Sequence, residues 1–78
     1  MKDETFAKGM RLLTAVFRGL TMPPVEILEI WKSLLNDIPD ERFIYAVKKV
    51  CNNVRDIYPG TNIVALIREQ LIPKVIKP

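Results

Sequence analysis

The side chains in this 78-residue sequence that could do chemistry are few. There is no histidine and only one cysteine, too few ligands for a structural zinc site. Neither Cys51 nor Ser33 has an imidazole to take its proton, so nucleophilic catalysis lacks an activating base. Cys51 reads as a small apolar residue on the margin of a helix rather than a reactive thiol. Asp37, Asp40 and Glu41 form the one acidic cluster. Carboxylates at a helix start complement its dipole, and the cluster reads that way rather than as a metal or acid–base site. Gly9, Gly19 and Gly60 are scattered, so there is no phosphate-cradling loop. No catalytic, cofactor or metal-binding residue is nominated, and an enzyme is not expected. What remains is a basic set with one aromatic: Arg42, Tyr45, Lys48, Lys49 and Arg55. Its plain reading is a solvated helix face whose charges suit the dipole. The sharper one, an electrostatic patch for DNA or an acidic partner, makes these five the hypothetical partner face.

That set rides on a helix predicted over 39–57. At about 100° per residue, Val47, Val50 and Val54 fall within about 40° of Phe43. Ala46, Cys51 and Ile57 flank them, and the charged residues take the other side. The apolar arc covers roughly 160°, so this helix is expected to sit between others. Asp40 and Glu41 lie at its positive end, and Pro39 suits its start. Tyr58-Pro59-Gly60-Thr61 has the proline and glycine of a type II turn and stops it.

Three further helices are predicted around it. In the first, over 3–20, Phe6, Met10, Leu13, Phe17 and Leu20 recur at steps of three and four, with Asp3 as N-cap. Gly9 weakens that helix by roughly 1 kcal/mol relative to alanine; it either admits a close neighbour or is tolerated. Leu12, beside Val16, reads as core margin rather than a partner contact. Pro23 and Pro24 open a second helix over 24–36, whose Ile27, Leu28, Ile30, Trp31, Leu34 and Leu35 share one broad arc, with Trp31 as core anchor. Thr61 or Asn62 caps a fourth helix over 62–71, with Ile63, Val64, Ile67 and Leu71 inward. An apolar and basic tail, 72–78, either folds back on the core or meets a partner. Short connections imply antiparallel neighbours, and the fold class is all-α, a compact irregular four-helix domain.

Composition sets the outer bounds. One domain is the default at this length, and stability of about 3–5 kcal/mol is expected. The net charge of +3 permits nucleic-acid contact without requiring it. No apolar run approaches the ~20 residues that span a bilayer, and no secretion signal is visible, so a cytoplasmic, reducing location is expected. A homo-oligomer held by Leu12 or the tail stays open.

The order of landmarks resembles a known group. Trp31-x-x-x-Leu35-x-Asp37-x-Pro39, Phe43-x-x-Ala46, Tyr58-Pro59-x-Thr61 and Ile67-Arg68-Glu69 look like the replicative-helicase loader and inhibitor family of small phage and prophage replication proteins, over roughly residues 6–70. The resemblance implies an all-helical fold and a non-enzymatic adaptor. Such an adaptor binds a hexameric DnaB-type helicase, holds it inactive and delivers it to an origin-bound initiator protein. Gly60 stands where a second proline would be common. Family members also carry a flexible C-terminal extension that helps grip the helicase, whereas this sequence runs to Pro78. The alternative is a small DNA-binding protein that uses the basic face of the third helix.

Overall fold

The computed structural model describes residues 1–58 and 60–72. It is an all-α domain of four helices: α1 (Asp3–Val16), α2 (Val25–Leu35), α3 (Asp40–Asn53) and α4 (Ile63–Glu69). The expected tail contacts of residues 73–78, and Pro59 of the turn, lie outside the described residues.

Contacts along the helices give their directions. Thr5 Oγ1 donates to Asp40 Oδ2 at 2.7 Å, so α1 and α3 begin side by side. They also end together, at a hollow lined by Phe17 and Ile57; the two helices are parallel. Lys32, late in α2, pairs with Asp3 at the start of α1, while Val25 lies across from Met10 and Arg11, so α2 runs antiparallel to α1. The end of α4 returns to Arg42 and Tyr45 near the start of α3. Consecutive helices therefore alternate in direction, as their short connections require.

The core lies along the seam between α1 and α3. Phe6, Gly9, Met10 and Leu13 of α1 meet Phe43, Ala46, Val47 and Val50 of α3, all buried. The Phe6 and Phe43 rings are 5.8 Å apart between centroids and tilted by 32°, within the spacing of favourable aromatic pairs. At Gly9 the Phe43 ring fills the space that a side chain would take. A Cβ there would sit 2.3 Å from Phe43 Cε2 and 3.2 Å from Val47 Cγ2. Of the two roles open to Gly9, the close approach is the one observed. Leu12 is half-buried against the core, as core margin should be. From α4, Ile63 and Ile67 close the cluster, with Val64 and, just past the helix, Leu71 partly buried against it.

All four helices are shorter than predicted, the second by one residue at each end. The first helix stops at Val16 rather than residue 20. Phe17 turns extended (φ −103, ψ 97), its N–H still bonded to the Leu13 carbonyl. The third stops at Asn53 rather than 57, with Val54 likewise extended (φ −102, ψ 127). The fourth spans Ile63–Glu69 rather than 62–71. In the stretches that follow the first and third helices, Phe17, Gly19, Val54, Asp56 and Ile57 have weaker helix preference. Phe17 and Ile57 stay buried because the extended segments still lead them into the core; periodicity placed them inside without requiring a helix. Asp3 is not a cap. Lys2 occupies that position without a side-chain bond, and Asp3 reaches across to Lys32 instead. Asn62 does cap α4, accepting from the Ala65 N–H at 3.0 Å. Pro24 and Pro39 stand just before α2 and α3 with φ near −60. Gly60 takes φ 90, and the Thr61 N–H donates to the Tyr58 carbonyl at 3.1 Å, as a type II turn requires.

The largest correction concerns α2. Only Leu35 is fully buried; Leu28 and Trp31 are partly covered. Ile27, Ile30 and Leu34, expected inside, are 38%, 55% and 53% exposed. The six apolar residues share an arc, but α1 and α4 reach only one side of it. Polar links make up part of the difference. Lys32 pairs with Asp3, and Arg68 of α4 donates to the Leu34 carbonyl at 2.7 Å and pairs with Asp37.

Candidate interaction surfaces

Two outward faces stand out. The first is the uncovered flank of α2. Ile27, Ile30 and Leu34 follow i, i+3, i+7 spacing and so lie in one line on the helix. Glu26 and Ser33 border the line on one side and the half-buried Trp31 on the other. Covering three half-exposed aliphatic side chains stabilises by about 1 kcal/mol each. A contiguous apolar stripe of this kind is a common feature of binding surfaces.

The second face is a cleft of about 560 Å³ between α3 and the end of α4. From α3 it takes Arg42, Tyr45, Lys49 and Asn53, from the end of α4 Glu69, and from the turn after it Gln70, Leu71 and Ile72. The α3 residues again follow helical spacing, and the row extends about 16 Å along the helix axis. Tyr45 is 54% exposed, and the Lys49 ammonium lies 5.4 Å from its ring centroid, within range of a cation–π contact. Among the described residues the ion pairs are Lys32–Asp3 and Arg68–Asp37. Arg42 and Lys49 belong to neither, although Glu69 lines the same cleft.

The predicted five-residue face is thus divided. Arg42, Tyr45 and Lys49 come together. Lys48 is about 100° from Lys49 around the helix, away from the cleft. Arg55 lies beyond the helix end, in the separate hollow beside Phe17, Arg18 and Asp56. Its placement was legible only to the extent that the helix end was. Asn53 and the four residues 69–72, at and after the end of α4, were missed. Asn53 had a signal, since it continues the 42, 45, 49 spacing; the α4 side depends on packing.

The acidic cluster is taken up by structure. Arg68, hydrogen-bonded to Asp37, holds that carboxyl below its usual range. Asp40 is lowered by the Thr5 hydroxyl and then by the Lys2 backbone N–H, so it ties the start of α1 to that of α3. Glu41 points outward on the first turn of α3. Among the described residues no group of three or more potential ligands gathers around a point. Cys51 is half-buried on α3, and burial raises its thiol pKa. Ser33 is exposed on α2. No helix among the described residues is long and apolar enough to cross a membrane.

Comparison with protein-family models, curated proteins and solved structures gives no match.

Proposed function

We propose that this chain is a non-enzymatic adaptor of phage or prophage DNA replication, which docks on a hexameric replicative helicase, restrains it and delivers it to an initiator complex. The landmark order described above supports the replication role. The observation that carries the adaptor reading is the exposed line Ile27, Ile30, Leu34. A chain with few residues to spare for its core leaves three large aliphatic side chains in water on one helix, and a docked partner would cover them. An adaptor also needs a second face, and the α3–α4 cleft shares no residue with the first.

The test is a binding titration of purified DnaB-type helicase with the chain and with its Ile30→Asp, Leu34→Asp double variant. The wild type should bind at micromolar concentration or better. The variant should lose at least tenfold in affinity while keeping its helical circular dichroism, because neither side chain supports the core. Absence of wild-type binding at micromolar concentration removes the helicase reading. The alternative, DNA binding through the outer face of α3, has less support. Lys48 and Arg55 stand apart from Arg42 and Lys49, and Glu69 interrupts the cationic surface, whereas phosphate tracking favours a continuous run of cations.

A further inference from the structure

We infer that the α3–α4 cleft binds an acidic peptide segment that carries an apolar side chain, the carboxylates meeting Arg42 and Lys49 and the apolar group lying against Leu71 and Ile72. The assignment is independent of the helicase reading, since the cleft shares no residue with the α2 line.

Four features of the cleft select this occupant. Its charge balance is two cations, Arg42 and Lys49, against one carboxylate, Glu69; neither cation is in an ion pair among the described residues. The cleft therefore presents net positive charge with donors free to be matched. Arg42 offers a planar fork suited to a carboxylate, while Lys49 acts as a point charge. Tyr45 lies between them along the helix, and the Lys49 ammonium over its ring keeps that charge on the cleft side. The opposite wall supplies Leu71, partly buried against the core, and Ile72, 64% exposed. A phosphate backbone has no use for that apolar wall, and Glu69 repels it. A side chain from an amphipathic acidic segment uses both halves of the cleft. Asn53 and Gln70 at the rim can pair with peptide backbone groups.

The experiment uses the full chain, isotopically labelled for amide NMR, with three probes. These are a helical peptide with glutamate on one face and leucine on the other, the same peptide with lysine for glutamate, and a short DNA duplex. Glutamate-peptide binding should shift amides at 42, 45, 49, 53 and 69–72 and leave those of α2 unmoved. Raising salt from roughly 50 mM to 500 mM should weaken it several-fold, as screening demands. The Arg42→Glu, Lys49→Glu double variant should lose about tenfold or more, and Tyr45→Ala about threefold. Lysine-peptide and duplex should leave the cleft amides in place. The inference is overturned if the glutamate peptide causes no cleft shifts at millimolar concentration, or binds the charge-reversed variant equally well. A duplex that moves the same amides more strongly also overturns it, in favour of nucleic acid. The α2 variant Ile30→Asp, Leu34→Asp should bind the glutamate peptide like wild type, so failure here and failure of the helicase titration are told apart.

Discussion

Replacing Gly9 with alanine pits helix propensity against packing, and the distances decide the sign. Glycine in a helix interior costs about 1 kcal/mol relative to alanine, so at an open site the change would stabilise. Here the new methyl would lie 2.3 Å from Phe43 Cε2 and 2.7 Å from Cζ. Carbon atoms are at rest near 3.5–4.0 Å, so the ring must retreat by more than about 1 Å. Phe43 is fully buried and packs beside the Phe6 ring, so it can retreat only by displacing its core neighbours. Overpacking of this severity costs about 3 kcal/mol, and the net effect is a loss of about 2 kcal/mol. For a domain of this size that is a fall of about 10 °C in Tm, and it removes roughly half of a total near 3–5 kcal/mol. Urea unfolding followed by circular dichroism reads the difference. A second arm isolates the cause: in a Phe43→Leu background the smaller side chain makes room, and Gly9→Ala should become nearly neutral, a coupling of about 2 kcal/mol. A Gly9→Ala protein more stable than wild type would refute the close approach. So would a penalty that persists unchanged with leucine at 43.

Two further outcomes follow from the polar links. Asp3, Asp37 and Asp40 all have carboxyls lowered from 3.8, chiefly by hydrogen bonds from Lys32, Arg68 and Thr5 respectively. The unfolded chain then binds more protons than the folded one. Stability from these groups is complete above the unfolded pKa and is lost as pH falls below about 4 and through the lower folded values. Urea midpoints measured from pH 6 to about pH 2 should fall in that window, and Asp40→Asn should flatten part of the slope; a midpoint independent of pH there contradicts the pairings. Asn62→Ala removes the one side-chain bond that caps α4 and should cost about 1 kcal/mol, with Asn62→Asp retaining most of it; thermal unfolding of the three proteins decides.

What the sequence determines by itself is local and periodic. The apolar steps of α1 and α3 mark the residues that form the main seam, and Phe17 and Ile57 are correctly inside although the helices end before them. A cap at Thr61 or Asn62 and a turn over Tyr58 to Thr61 follow from backbone chemistry within a few residues; the structure selects Asn62. Spacing also places Arg42, Tyr45 and Lys49 in one row. Tertiary structure alone decides whether another element reaches a given face. On α2 the six apolar residues are equivalent by periodicity, yet α1 and α4 cover Leu28, Trp31 and Leu35 and leave Ile27, Ile30 and Leu34 in water. The same holds for the cleft, whose far wall comes from residues 69–72, and for Asp37, whose partner Arg68 is 31 positions away. It holds for Gly9 too, since a missing side chain acquires meaning only from the ring that occupies its place. Helical period specifies which side chains point the same way; only the arrangement of neighbours in space specifies what they meet.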